Sequence, residues 1–417
     1  MKKIKVLISL LVVLSMTIGF TLSLKSNQNV LSNTQSSVID EVSKSVEKWV
    51  QVRESPFYKN ISVKSVLIES NIQPGSLSEV IFNVNEQQTL KAQSPEELPM
   101  IKGMINCLNS KKPNLKQSQI DYANRQLEDQ LKELRGYINE VEEWNETIKV
   151  TFNTDSNCNI KPDSINLYVA DNPFGGNSFV DADTCKLETA EEMEQRGYKD
   201  MEEIINKSGK DNSPCVALTL VDVYDRVKAG DYADKWTSEL ASDVDKSKWK
   251  VGKPTNPSDD PENDGEFKFS LNIQQDCADY VSQALYKGGI PMDIYTGISY
   301  WRCERYTMTT PVNGSPWVYV PKLESYMINN HYFEQSNFDL ANKGSVIVFH
   351  CYQDANYVWH PTTDGQHVVM ITLNNTVTRT FSAHNTDRKK HPYHSYDGWV
   401  PYSKFYKVHF YVNGGYY

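Results

Sequence analysis

The stretch DCADYVSQALYKGG, residues 276–289, places one cysteine between two acids at the start of an apolar-periodic run. Val281 and Leu285 recur at the spacing of one helical face, and a Gly-Gly pair supplies a C-terminal stop. Asp276 is suited to cap the helix, which would place Cys277 in its first turn. We therefore predict a helix that begins at Cys277 and buries its apolar face.

The position of Cys277 at a helix start bears on its chemistry. The helix dipole and the unpaired N–H groups of the first turn favour thiolate over thiol. The same N–H groups can hold a developing oxyanion, although Asp279 opposes the effect unless it faces solvent. A buried unreactive thiol, half of a disulfide and a metal ligand are the alternatives. Cys277 is thus a candidate nucleophile if the chain also supplies a base.

Histidines are confined to the last part of the chain, since all eight lie between His331 and His409. His367 opens the otherwise apolar run QHVVMITL, where packing alone poorly explains a polar ring. The next β-like run ends in SAHN, with His384 and Asn385. A hairpin joining the two strands would set His384 or Asn385 beside His367. The sequence therefore predicts a Cys-His-polar triad with either of the two as its third member.

These motifs resemble those of the putative amidase domain family of secreted Gram-positive proteins. The resemblance covers about residues 222–412 and is carried, in the family's order, by YDRVKAGDYADKW, DCADYVSQALYKGGIPMD, KGSVIVFH, QHVVMI and SAHNTDRKKHPYHSY. That family is similar to the papain-like cell-wall hydrolases of the CHAP and NlpC type. The resemblance implies a cysteine helix packed on an antiparallel sheet. It also implies Cys277 and His367 as the catalytic pair, with His384 in the third position.

The chain departs from the family's pattern at two places. Ala278 and Asp279 stand where the family usually has Thr-Asn after the cysteine, and Gly344-Ser345 stands where it usually has Gly-Asp. Neither departure removes a proposed catalytic group, so we expect both to bear mainly on substrate preference.

The N-terminus has the pattern of a secretory signal, because the lysines of MKKIK precede an uncharged apolar run from Val6 to Leu24. The run is long and lacks a clean cleavage site, so an uncleaved membrane anchor is the alternative for residues 1–26. The net charge is −10, and removing residues 1–24 with the three lysines of MKKIK gives −13 (−10 − 3). Such a chain has no electrostatic reason to bind nucleic acid. We expect a secreted or cell-surface Gram-positive protein whose only membrane contact is the N-terminal segment.

Cysteine usage is compatible with secretion. The chain has seven cysteines, and an odd number leaves one thiol unpaired unless a bridge forms between chains. Cys158 with Cys185, or Cys303 with Cys351, are candidate disulfides that sequence alone cannot assign.

A metal site is the competing interpretation of the histidine-rich segment. His350-Cys351, His360 and the run HPYH at 391–394 offer borderline and soft ligands, but no C-x-x-C or H-E-x-x-H motif occurs. We therefore expect neither a metal nor an organic cofactor.

The pattern of the whole chain changes between periods of 3.6 and 2, which predicts an α+β fold. We expect an α+β accessory domain at 27–205, a linker at 206–219 and a papain-like α+β hydrolase domain at 220–417. The charges of the long helix expected at 117–148 are interpreted as a solvated face. The expected helices are 38–52, 117–148 and 224–240, and the expected strands are 61–70, 78–84, 148–153, 165–171, 344–350, 366–373, 377–384 and 404–412.

The functional expectation is a secreted cysteine amidase or peptidase that hydrolyses an amide bond in peptidoglycan through an acyl-enzyme. Two alternatives stay open. One is a non-catalytic cell-surface binding protein that keeps the fold, and the other is a secreted hydrolase of protein side-chain amides. The role of residues 27–205 is not assigned.

Overall fold

The computed structural model describes residues 35–170, 178–208, 220–237, 277–293, 298–301, 314–356, 358–384, 388–395 and 397–413. Within this part of the chain the architecture is α+β, with every strand pairing antiparallel, as the sequence predicts. Most of the linker expected at 206–219 lies outside the described residues.

The first module is formed by the described residues of 35–208. Its five-stranded sheet has the order β1-β2-β3-β4-β5, and four helices pack around it. The elements are α1 (35–54), β1 (Tyr58–Asn71), β2 (Leu77–Leu90), α2 (Pro99–Lys111), α3 (Gln117–Leu134), β3 (Val141–Asn153), β4 (Asn166–Ala170), β5 (Phe179–Asp181) and α4 (Ala190–Ser208).

Two large clusters and one small cluster of buried side chains hold this module together. Helix α1 presents a valine at every fourth position to the sheet, so one apolar stripe packs on β2 and β3. On the other side α2, α3 and α4 form a second core with Trp144. Helices α2 and α4 approach so closely that a Cβ at Gly103 would lie 1.9 Å from the Glu194 carbonyl oxygen. This contact requires a glycine.

The prediction of one long helix over 117–148 is wrong for its second half. Helix α3 ends at Leu134, and β3 begins at Val141. From Val141 onward the burial of side chains largely alternates with the period of two of a strand, so Glu142 and Trp144 both point inward. The charges of this half are therefore not a solvated face, because Glu142 and Glu146 are buried.

The second module, formed by the described residues of 220–413, contains a six-stranded antiparallel sheet of order β13-β12-β11-β8-β14-β7. Two pairs of short strands, β6 with β15 and β9 with β10, lie beside it. The elements are β6 (Leu220–Asp222), α5 (Arg226–Lys235), α6 (Cys277–Lys287), α7 (Val320–Asn329), β7 (Phe333–Ser336), β8 (Val346–Phe349), β9 (Cys351–Gln353), β10 (Trp359–Pro361), β11 (His367–Asn374), β12 (Arg379–Ala383), β13 (Arg388–Tyr393), β14 (Ser403–Val408) and β15 (Tyr411–Asn413).

The six-stranded sheet is covered on both faces. Along β11, Val368 and Met370 share a core with α5, α6 and α7, while Val369 and Ile371 share a second core with Phe381. All eight residues of β11 are buried, which explains why its sequence is nearly continuous in apolar residues. Helices α5 and α6 both pack against β11, so this strand is the centre of the module.

The imidazole of His409 lies between two carboxylates. Its Nδ1 is 2.7 Å from Asp222 Oδ2, and its Nε2 is 3.1 Å from Glu334 Oε2. Burial by itself would lower the pKa of His409, but the hydrogen bonds to Asp222 and Glu334 outweigh burial and raise it. A protonated His409 therefore ties β6 and β7 to the residue that follows β14.

We predict that His409→Gln makes stability less dependent on pH. Because the pKa of His409 is raised on folding, its contribution is fully present below about pH 6.5 and is lost as pH rises through the raised pKa. The variant should lose about 1–3 kcal/mol near pH 6 and much less near pH 9, as measured by urea unfolding. His360→Gln, at a partly exposed histidine paired with Asp354, is the control. A deficit equal at all pH values would contradict this role.

Cysteine pairing differs from the expected candidates. Cys158 and Cys185 are both buried free thiols, so the bridge between them is wrong. Cys351 is also a buried free thiol, and burial raises its pKa to about 12. Cys303 lies outside the described residues.

Within the part of the chain that the structure describes, no helix has the length and apolar character needed to cross a bilayer.

Candidate functional site

Cys277 is the first residue of α6 in the described chain and is 2% exposed. Every residue from Cys277 to Leu285 is buried, so the helix has no solvent face over its first two turns. The helix ends where the sequence predicts, at a Gly-Gly pair in which Gly289 takes a φ of 107°. Asp276, the expected cap, lies outside the described residues.

The polar side chains of this buried helix are satisfied by its neighbours. The Tyr280 hydroxyl donates to the Ala233 carbonyl of α5 at 2.7 Å. The Ser282 hydroxyl donates to the Trp317 carbonyl at 3.0 Å and accepts from the Trp301 indole at 3.0 Å. These bonds fix the rotation of α6 about its own axis, and hence the position of Cys277.

Asp279 does not face solvent, since it is 5% exposed. Its Oδ1 accepts from the Trp317 indole N–H at 2.5 Å and from the Gln283 amide at 3.1 Å. Gln283 in turn accepts from the Tyr232 hydroxyl of α5 at 2.8 Å. The residue that replaces the family's usual asparagine is therefore an acceptor that connects α6 to Trp317 and, through Gln283, to α5.

His367 is the first residue of β11 and is 3% exposed. It pairs with Phe349 of β8, and the two ring centroids are 5.7 Å apart. Because α6 packs against β11, the strand that His367 opens is in direct contact with the helix that Cys277 opens.

His384 follows β12 directly and is fully buried. Its ring stacks on Tyr280 of α6 with centroids 4.2 Å apart and planes at 14°. Tyr280 lies three residues after Cys277, on the adjacent turn of the helix. In the sheet, Met370 pairs with Ser382, so two residues further His384 reaches the register position of Val368, next to His367.

The hydrogen bond of His384 decides its tautomer. Its Nε2 lies 2.5 Å from the Trp236 carbonyl oxygen, which can only accept. Nε2 therefore carries the proton, and Nδ1 of a neutral ring is left as an acceptor. An acceptor is what the third member of a triad offers to the N–H of the base. Asn385, its rival for this role, lies outside the described residues.

We predict that nitrogen-15 NMR shows the proton of the neutral His384 ring on Nε2 and not on Nδ1. The reason is the carbonyl of Trp236, which leaves Nε2 no other role. His384→Gln identifies the signal, and His360→Gln, at a partly exposed ring, serves as the matched assignment control. A neutral ring with the proton on Nδ1 would contradict the geometry.

Sequence reasoning missed a buried acid, Glu324 of α7, that lies beside the end of β8. Glu324 Oε1 of α7 is 2.9 Å from His350 Nε2 and accepts from the Tyr406 hydroxyl at 2.6 Å. His350 Nδ1 is 3.2 Å from the Thr363 carbonyl oxygen. His350 directly follows Phe349, the partner of His367, so this cluster supports the neighbouring strand. No local motif marks Glu324, since its partners are distant in sequence.

The expected alternative ligands for a metal are dispersed. His350 bonds to Glu324, His360 to Asp354, and His391 packs against Phe381. Burial lowers the pKa of His391 to about 3, with Arg388 adding to the effect, so this ring is neutral. Among the described residues there is no group of three or more His, Cys, Asp or Glu side chains that could hold a metal ion.

Comparison with known families finds a similarity for the second module. Residues 223–411 match the model of a family described as "Putative amidase domain". The match spans α5, α6 and the six-stranded sheet, and it indicates an amide hydrolase. No curated protein and no solved structure matches the chain.

Proposed function

From the amidase-family match over residues 223–411, we propose that the second module hydrolyses an amide bond with Cys277 as nucleophile. The observation that carries the proposal is the convergence of three elements. Cys277 opens α6, His367 opens the strand against which α6 packs, and His384 stacks on the same helix. This is the set of groups that cysteine hydrolysis of an amide requires: a thiol, a base and a group that orients the base.

The proposed reaction follows the papain-like order. His367 takes the proton of Cys277, and the thiolate attacks the carbonyl carbon of the amide. Backbone N–H groups at the start of α6 hold the oxyanion. The imidazolium of His367 then protonates the leaving amine, and water releases the acyl group from Cys277. His384 accepts from the N–H of His367 through Nδ1 and keeps the base in its productive tautomer.

Peptidoglycan is the substrate that we propose. The resemblance to cell-wall hydrolases and the secretory pattern of the N-terminal segment both support a secreted enzyme that acts outside the cell. A hydrolase of protein side-chain amides would use the same chemistry, so only the products can separate the two substrate classes.

One observation favours a second candidate, a non-catalytic binding protein that retains the fold. Cys277 is 2% exposed and belongs to the apolar core that contains Val281 and Leu285. A thiol in such surroundings can be a packing residue without reactivity. Thiol chemistry separates the two candidates directly.

We predict that Cys277 is alkylated by iodoacetamide near neutral pH faster than the other buried thiols. A base that ionises the thiol raises the rate, so His367→Ala should slow labelling by about tenfold or more. Peptide mass analysis assigns the rate to each cysteine, and Cys351, whose pKa is raised to about 12, is the internal control. Slow labelling that does not respond to His367→Ala would support the binding protein.

We further predict that the protein digests purified peptidoglycan and that Cys277→Ser reduces the activity by at least about a hundredfold. Release of intact stem peptides identifies an amidase, and release of peptide fragments identifies an endopeptidase. His360→Gln should retain activity. Release of ammonia from proteins, without wall products, would move the substrate to side-chain amides.

A further inference from the structure

The turn that joins β11 to β12 is buried, although hairpin turns normally lie at the surface. Residues 374–378 are each no more than 3% exposed. The turn is internally bonded, because Asn375 Oδ1 accepts from the backbone N–H groups of Val377 and Thr378. Thr376 takes a φ of 73° within it. The cover over this turn comes from the first module.

A hydrogen-bonded cluster joins the turn to two strands of the first module. Asn375 Nδ2 donates to the Tyr58 hydroxyl of β1 at 2.9 Å and also to Glu142 Oε2 of β3. The Tyr58 hydroxyl donates to Thr378 Oγ1 at 2.9 Å. All four side chains are at most 5% exposed. Beside them, Val377 inserts into the helical core of the first module.

The loop before β8 is attached to the first module at the same place. Asp339 accepts from Arg379 Nη2 at 2.5 Å and lies 2.8 Å from Arg196 Nε of α4. Asn337 donates to Asp200 of α4 at 2.9 Å. Asn374 Nδ2 donates to the Asp339 carbonyl oxygen at 3.0 Å. The loop and the turn are thus one docking surface.

Glu142 is the group on which this contact is centred. Burial raises the pKa of Glu142 to about 8, against the opposing effects of Asn375 and Lys390. Its Oε1 is buried and has no hydrogen-bond partner among the described residues. Burying an ionised carboxylate with one oxygen that accepts no hydrogen bond costs much free energy, whereas burying a protonated carboxyl costs less. Glu142 therefore fits the junction as a neutral acid.

We propose that the first module positions the candidate site by clamping the β11–β12 turn through Glu142 and Tyr58. Strand β11 begins at His367, and β12 ends next to His384. The turn is about 25 Å from His367 at about 3.3 Å per residue, so the clamp acts through the strands. Glu142 and Tyr58 are positioning residues, and this role rests on the proposed function of the site.

The charged surroundings fix the direction of the pH effect. Tyr58 of β1, Tyr137 before β3 and Lys390 of β13 face Glu142, and Glu54 lies beyond Tyr58. Because the pKa of Glu142 is raised on docking, docking is strongest below about pH 4.5. It weakens as pH rises towards about 8, where the contribution of the neutral Glu142 is lost.

Two further acids at the junction also have raised pKa values: Asp200, and Glu133 of α3, which accepts from the backbone N–H of Lys343 at 3.2 Å. Burial raises the pKa of Asp200 to about 8, with Asp339 adding to the effect, and burial raises the pKa of Glu133 to about 7. Around Asp200 lie Arg196 and Glu203, and around Glu133 lie the cations Arg226 and Lys407. Removing Glu142 alone should therefore reduce the pH dependence without abolishing it.

The test is hydrogen exchange of the full chain, read by mass spectrometry on peptides from β11 and β12. In the wild type, protection of these peptides should fall by about tenfold or more between pH 6 and pH 8, after correction for the intrinsic rate. Glu142→Gln keeps the shape and a donor, and it should reduce that fall several-fold. Glu140→Gln, the same change at an exposed position nearby, should behave as the wild type.

Tyr58→Phe keeps the packing and removes only the hydroxyl, so it guards against misfolding of the Glu142 variant. It should increase exchange in β11 and β12 at pH 6, with peptides from α2 and α4 unchanged. The proposal is overturned if the pH dependence of Glu142→Gln equals that of the wild type, or if Tyr58→Phe leaves both strands fully protected.

A readout at the site completes the test. The ratio of Cys277 alkylation rates, wild type over Glu142→Gln, should depart from one between pH 6 and pH 8, because the docking of the wild type weakens more steeply with pH than that of the variant. A ratio that stays at one across this range overturns the positioning role. Since exchange needs no substrate, a clamp confirmed by exchange in a protein without hydrolytic activity would refute the proposed function and leave the docking intact.

Discussion

Helix α6 has no solvent face over its first two turns, and the second module is arranged around that constraint. A buried helix that carries tyrosine, serine, glutamine and aspartate side chains must find a partner for each of them. Helix α5 supplies the Ala233 carbonyl and the Tyr232 hydroxyl, and Trp317 supplies both its indole and its carbonyl. Because each of these bonds has one geometry, the start of α6 is held in one place relative to β11.

The same constraint reaches His384. Its ring lies on Tyr280, and its Nε2 is occupied by the carbonyl of Trp236 at the end of α5. Thr237 adds a bond to the Ala383 carbonyl at 3.0 Å, so the end of α5 is attached to the end of β12. Helix α5 therefore secures both the helix of Cys277 and the strand that leads to His384. Cys277 and His384 are therefore brought together by the packing of α5, α6 and the end of β12.

Helices α5 and α6 and strands β8, β11, β12 and β14 of the second module could be predicted because their patterns are local. The apolar run after His367 predicts a strand, and the Gly-Gly pair after Lys287 predicts the end of a helix. The stacking of Tyr280 on His384 could not be predicted, since no spacing in the sequence relates two residues on different elements. The burial of Asp279, which the sequence left open, could not be predicted for the same reason, because its partner Trp317 lies 38 residues away.

The error over 117–148 has a different origin. Glutamates on a helical pattern are usually solvated, so Glu142 and Glu146 favoured a continued helix. Tertiary contacts override this preference, because Glu146 is buried with Arg53, and Glu142 is buried with Asn375 of the other module. The local sequence around a polar residue does not show that the residue is buried at a junction between modules. Sequence reasoning therefore left the role of the first module unassigned.

The buried turn between β11 and β12 also has a consequence for synthesis. Glu142 and Asn375 are separated by 233 residues, and Tyr58 and Thr378 by 320. On a growing chain the first module emerges long before the turn that it receives, so its apolar receiving surface stays open to water meanwhile. Contacts of such separation close late and slowly. A turn that is synthesised late, between β11 and β12, thus completes the core of the first module.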